Sequence, residues 1–157
     1  MYEMLKLLEE NARYTDDALA SMLGISEQEV REQIKAYEKQ GVLRGYKAIV
    51  DWEKTERDYV TARIELKVTP KKDLGFEELA EIIAQYNEVQ SLYLMSGGYD
   101  LGLTIVGKTF KDIASFVAYR LAPLESVQST ATHFVLRKYK DKGVAFIDKK
   151  DERRVVL

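Results

Sequence analysis

Two stretches of this 157-residue sequence carry side chains suited to recognising another molecule. The first lies between Ser26 and Lys47. There the polar side of a segment with inward Val30, Ile34 and Tyr37 presents Gln28, Glu29, Arg31, Glu32 and Lys35, and Arg44 and Lys47 follow. An arginine in such a place takes a guanine edge or a phosphate, and a glutamine takes an adenine edge or a backbone group. Arg44 and Lys47 suit phosphates; a merely solvated helix face accounts for the same charges without any partner. The second stretch is Ser96-Gly97-Gly98-Tyr99-Asp100. Backbone amides freed by two glycines attract an anion such as a carboxylate, and Asp100 suits an ammonium group. Together they complement a free amino acid. The competing reading is an ordinary glycine turn in which Asp100 satisfies backbone groups.

Other chemistry is poorly supplied. The chain has no cysteine and one histidine, His133. Disulfides, thiolate metal sites and a cysteine nucleophile are therefore excluded. His133, beside Phe134 and Val135, reads as a structural residue rather than a general base. Glu77, Glu78 and Glu81 fall on the outward side of a helix, and Asp16 and Asp17 occupy a first helical turn, where the helix dipole favours acids. We therefore expect no catalytic residue, no metal and no cofactor. Hydrophobic residues make up 46% and charged residues 32%, the balance of a folded soluble chain. The net charge of −2 advertises no polyanion partner, so any nucleic-acid reading must rest on local geometry. No stretch has the roughly 18 apolar residues of a membrane span. The first residues, with acids among the apolar ones, lack the core of a signal peptide. The cytoplasm is the expected compartment.

These side chains need elements to position them. Met1, Met4, Leu5, Leu8 and Ala12 form one helical stripe. Thr15 is placed to cap a short second helix with Ala18, Leu19, Met22 and Leu23, and Gly24 supplies a sharp turn. Ser26 and Glu29 have the spacing of a capping box, opening a third helix that Gly41 ends. Residues 42–50, apolar and punctuated by Gly45, fit a short hairpin. Three helices and a hairpin describe a winged helix-turn-helix.

Beyond a charged stretch at 52–58 the periodicity changes. Val60, Ala62, Ile64, Leu66 and Val68 alternate with Thr61, Arg63, Glu65 and Lys67, a strand with one buried face. A helix follows through Phe76, Leu79, Ala80, Ile83 and Tyr86. Strands at 89–95 and 99–106 flank the glycine turn. Thr109 begins a helix with Phe110, Ile113, Ala114, Val117 and Leu121, and a last strand spans 127–136. The order β-α-β-β-α-β is the ferredoxin-like plan. Its helices cover one sheet face and leave the other for a partner, which makes face-to-face dimerisation the expectation. The fold class is α+β, organised as a winged helix-turn-helix (1–51), a linker (52–58), a ferredoxin-like domain (59–140) and a charged tail (141–157). In that tail Val144 to Ile147 either adds a strand to a neighbour or packs back.

Three motifs in order resemble the Lrp/AsnC family of leucine-responsive, feast/famine transcription regulators, from about residue 2 to residue 140. They are the helix and wing from Gly24 through Ala48 with Asp51, the Ser96–Leu101 hairpin, and the threonine-rich strand Val127-Gln128-Ser129-Thr130-Ala131-Thr132. The resemblance implies a regulator that binds double-stranded DNA through Ser26, Gln28, Arg31, Lys35, Arg44 and Lys47. It also implies a small effector, an amino acid or related metabolite, held by Ser96, Gly97, Gly98, Tyr99 and Asp100, completed by Thr130 and Thr132 and by a neighbouring subunit. Dimers assembling to a higher oligomer, up to an octamer, follow from it as well. One departure stands out. Relatives carry a basic pair after the valine, where this chain has Glu32 and Gln33. Over residues 1–52, 7 basic residues face 10 acidic ones, a balance of −3. Since duplex affinity depends on phosphate neutralisation, a single such domain is expected to bind weakly, and a linked assembly to restore the grip through avidity. The alternative is an amino-acid-binding oligomer with weak or lost DNA binding that modulates a partner regulator.

Overall fold

The structure is a computed structural model that describes residues 2–70 and 75–147. The chain forms two compact units, Met1–Val50 and Asp51–Leu157.

In the first unit three helices, α1 (Glu3–Glu10), α2 (Asp16–Leu23) and α3 (Glu27–Lys39), close over Met4, Leu8, Leu19, Ala20 and Val30. Ile34, Tyr37 and Leu43 pack against that core from α3 and just beyond it. Gly24 ends α2 at φ 67°, in the left-handed region where glycine is favoured, and Ile25 packs beneath the turn. Ser26 and Glu29 form the complete capping box. The Glu29 N–H donates to Ser26 Oγ at 3.2 Å, and the Ser26 N–H donates to Glu29 Oε2 at 2.8 Å. The far end of α3 closes as a Schellman motif, with the N–H of Gly41 bonded to Glu38 and that of Val42 to Tyr37. At Thr15 the expectation of a side-chain cap fails. Its side chain makes no cap hydrogen bond, and its main effect is to hold the nearby Asp17 carboxyl below its ordinary range.

The hairpin expected at 42–50 is corrected by the structure. Residues 42–50 contain no strand and no hairpin. A two-stranded ribbon is marginal by itself. This segment instead spends its contacts on α3: Leu43 enters the core, and the Tyr46 hydroxyl donates to Glu38 Oε1 at 3.1 Å. Arg44 and Lys47 thus sit on irregular chain rather than on a β-ribbon.

The capping box makes a pH prediction. Glu29 is held below its usual range, chiefly by the Ser26 backbone N–H and then by the Ser26 hydroxyl. A carboxylate depressed on folding stabilises above its unfolded pKa, near 4.3, and loses that contribution as pH falls through the lower folded value. Helicity followed from pH 5 to pH 2 should fall less steeply for Glu29→Gln than for the parent. Ser26→Ala should cost about 1 kcal/mol at neutral pH.

The second unit begins with a 3₁₀ turn, Trp52–Lys54, on which the charged linker is organised rather than loose. Trp52 stacks on Tyr59 at 5.8 Å, and the Arg57 guanidinium lies 4.5 Å from the Trp52 ring centre. The sheet comprises β1 (Val60–Val68), β2 (Val89–Leu94), β3 (Leu101–Gly107) and β4 (Val127–Phe134), in the order β2-β3-β1-β4 with every neighbouring pair antiparallel. Helices α4 (Glu77–Ala84) and α5 (Phe110–Phe116), the latter continued by a π turn at Val117–Leu121, follow β1 and β3. This is the expected βαββαβ topology. The alternating strand buries Ala62, Ile64, Leu66 and Val68 against Leu79, Ile83, Ile113, Phe116 and Leu121. Thr109 caps α5 in a capping box with Asp112. Within the described residues the tail packs back. Strands β5 (Lys140–Asp141) and β6 (Val144–Ala145) pair with each other, and Phe146 returns to a shallow depression lined by Trp52, Tyr59, Thr61 and Lys138. Residues 148–157 of the predicted tail lie outside the described residues.

Candidate nucleic-acid interface and effector loop

Burial of Val30 and partial burial of Ile34 and Tyr37 turn the opposite side of α3 to solvent. Gln28, Arg31 and Lys35 stand there, as the spacing requires. Their states differ. Arg31 Nη1 lies 3.2 Å from Glu27 Oε2 and 3.4 Å from Asp16 Oδ2, a link between α2 and α3. Glu27 first, then Asp16, raises the guanidinium further above its ordinary range. Gln28 Nε2 donates to Glu32 Oε1 at 3.0 Å. Lys35, Arg44 and Lys47 have no ion pair among the described residues. Ser26 is committed to the capping box, so its hydroxyl serves the helix start. The acidic partners Asp16, Glu27 and Glu32 were missed as site residues. Helix spacing exposes the i,i+4 pairs Glu27–Arg31 and Gln28–Glu32; Asp16–Arg31, 15 residues apart, needs the packed turn.

In the effector loop the competing reading of Asp100 proves correct for one of its oxygens. Asp100 Oδ2 accepts the Val68 N–H at 2.8 Å, and the Asp100 N–H donates to Leu66 O at 2.9 Å. The Met95 N–H closes the loop on Asp100 O at 2.8 Å. Pairing of β1 with β3 ends at Leu66–Leu101, so the Val68 N–H, on that same edge, is left for the carboxylate. Ser96, Gly97 and Gly98 form the exposed tip. Thr130 and Thr132 do not converge with this tip within one chain. They pair with Leu66 and Ile64 on the far side of β1 from β3, and share the helix-covered face with them.

On the opposite, open face a groove of about 230 Å³ lies beside the same loop. Tyr93, Tyr99 and Met95 form its apolar wall, and Arg63, Glu65 and His133 its polar one. Gly102 lets these side chains lie close over the strand. A Cβ there would stand 3.2 Å from Tyr99 Cε2 and 3.4 Å from Met95 Cγ, so the ring lies directly on the strand. His133 Nε2 is 3.6 Å from Glu65 Oε2 across the β1–β4 pair. Strand alternation places Arg63 and Glu65 on this face; that His133 and Thr104 flank Arg63 is a matter of register alone. Among the described residues no group of three or more acids or histidines gathers as a metal site would, and no helix is long and apolar enough to cross a membrane.

Known proteins share both units. A family model described as winged helix-turn-helix DNA-binding matches residues 2–44, and one described as Lrp/AsnC ligand binding domain matches residues 61–145. An uncharacterized HTH-type transcriptional regulator of Bacillus subtilis, YugG, is 46% identical over 156 residues, covering 99% of this chain and 94% of its own. The leucine-responsive regulatory protein of Haemophilus influenzae is 27% identical over 138 residues, 88% of this chain and 82% of its own. A transcriptional regulator of Neisseria meningitidis, solved as its L-Met complex, superposes with a TM-score of 0.70 at 26% identity, covering 88% of each chain.

Proposed function

The chain belongs to the Lrp/AsnC family of transcriptional regulators, and from that premise we propose a DNA-binding regulator whose grip is set by an amino-acid effector acting through its oligomeric state. The observation that carries the DNA-binding half is α3, fixed at both ends by a capping box and a Schellman turn, with Gln28, Arg31 and Lys35 turned outward. Arg44 and Lys47 on the segment that follows add phosphate contacts, and the cytoplasm is where such a protein meets DNA. Purified protein is expected to bind a fragment upstream of its own gene, with an affinity that falls as salt rises. Lys35→Ala should lower the slope of log affinity against log salt by about 0.9. Absence of any salt-sensitive binding would remove the mechanism.

The effector half is supported by the L-Met complex of the Neisseria relative and by the loop chemistry. The Gly97 and Gly98 amides take the effector carboxylate, and Asp100 Oδ1, whose sister oxygen is held by Val68, takes the ammonium. Thr130 and Thr132 lie on the helix-covered face, apart from the loop, so the rest of the pocket comes from a neighbouring copy. The open sheet face, where Arg63 and Glu65 stand on one strand, suits pairing about a two-fold axis that sets each opposite the other's counterpart. An effector shifts DNA binding only by favouring one assembly state over another. Thermal shift against each proteinogenic amino acid at millimolar concentration should show a rise for at least one; no response from any counts against the proposal.

A second reading has its own observation. Arg31 is paired to two carboxylates and the first unit is acidic, as a weakly DNA-binding modulator of a partner regulator would be. Mobility shifts on genomic fragments, with and without an added second regulator of the same family, separate the two.

A further inference from the structure

Arg31 presents two unequal edges. Nη1 alone carries both carboxylates, Glu27 Oε2 at 3.2 Å and Asp16 Oδ2 at 3.4 Å. Among the described residues Nε and Nη2 have no partner. That open edge is a planar fork of two parallel N–H donors, the shape that meets guanine O6 and N7 or two oxygens of a phosphate.

Charge decides between these acceptors. One guanidinium with two carboxylates carries a formal charge of −1. A phosphate approaching the trio meets net repulsion, whereas guanine O6 and N7 are uncharged acceptors. The carboxylates also act from two elements, Asp16 from α2 and Glu27 from one turn earlier on α3, so they restrain the plane of the fork as well as its position. Arg31 lies in the second turn of α3, within reach of the N-terminal portion through which such a helix meets base edges.

We propose that Arg31 is a base-reading residue that takes a guanine through Nε and Nη2, and that Asp16 and Glu27 are positioning residues that hold its guanidinium for that contact. This rests on the DNA-binding reading above and deepens it: the phosphate work falls to Lys35, Arg44 and Lys47, and Arg31 supplies sequence discrimination. The acids of α2 and α3 then serve specificity at the expense of non-specific affinity.

The test uses the full-length protein and the fragment upstream of its own gene that it protects in a footprint. Each guanine of that fragment is replaced in turn by 7-deazaguanine, which lacks the N7 acceptor. Affinity is measured across a salt series for the parent, Arg31→Ala, Arg31→Lys, Asp16→Asn and Glu27→Gln. At least one replacement should weaken the parent about tenfold and leave Arg31→Ala unaffected, in line with the 1–3 kcal/mol of a bidentate base contact. Arg31→Lys should not restore the discrimination, because an ammonium has no fork. Asp16→Asn and Glu27→Gln should shrink the 7-deazaguanine effect while overall affinity holds or rises. The salt slope of Arg31→Ala should equal that of the parent. A slope lowered by about 0.9 in Arg31→Ala, with no guanine distinguished, makes Arg31 a phosphate contact and overturns the assignment while DNA binding stands. A parent that protects no fragment and binds none in a salt-dependent way overturns both.

Discussion

Leu19→Ala should unfold the first unit and abolish DNA binding while the second unit stays folded. Leu19 is 0% exposed, the centre of a small core otherwise made by Met4, Leu8, Ala20 and Val30. Removing three carbons from such a site costs about 2–5 kcal/mol, transfer and cavity together. A unit of this size has little more than that to lose, since small domains bury proportionally less surface. The loss also acts on the site directly, because Leu19 holds α2 against α3 and so keeps Asp16 beside Arg31. Calorimetry should show the transition of the first unit lowered or missing and the other retained, with DNA affinity gone. Leu19→Met, which conserves volume, should cost less than about 1.5 kcal/mol and keep binding. An alanine variant with both transitions and its affinity intact would contradict this account of the core.

Ile64→Ala should have the mirror-image effect. Ile64 is 1% exposed at the middle of β1, between Leu103 of β3 and Thr132 of β4. It lies in one of the two inner strands of the sheet, and its loss should again cost about 2–5 kcal/mol. The first unit, with its separate core, should keep its helicity. If the proposed assembly runs through the sheet, loosening that sheet removes the link between DNA-reading helices, and DNA affinity should fall about a hundredfold although no DNA contact is touched. Light scattering and DNA titration on one preparation check it. Retained assembly with lost affinity would place the oligomer contact elsewhere; lost assembly with retained affinity would mean that one α3 suffices.

Much of this architecture was legible because it is written in neighbouring residues. Ser26 and Glu29 are three apart, so the capping box and the start of α3 follow from spacing, and Gly24 and Gly41 mark the turns that bound the helices. Alternation from Val60 to Val68 settles which side of β1 is buried, and the β-α-β-β-α-β order follows from the sequence of such patterns. The family resemblance, drawn from three short motifs, agrees with the models that match both units. The hairpin at 42–50 failed for an equally physical reason. An apolar, glycine-punctuated segment promises a hairpin only if nothing better takes its side chains, and α3 takes Leu43 and Tyr46.

The sequence by itself determined where the capped helices begin and end and most of the inward faces, although Ala12, Met22, Phe110 and Ala114, read as apolar-face residues, stand exposed. Those properties depend on separations of a few residues, within the reach of a single turn or strand. Only the tertiary structure decided what the outward residues do with one another. Asp16 reaches Arg31, Val68 captures Asp100 across 32 positions, and Glu65 meets His133, each through a turn angle or strand register that no local pattern encodes. A charged side chain is satisfied by whichever opposite group the fold brings within a few ångströms. Its partner, and hence the edge it has left to offer, is settled last.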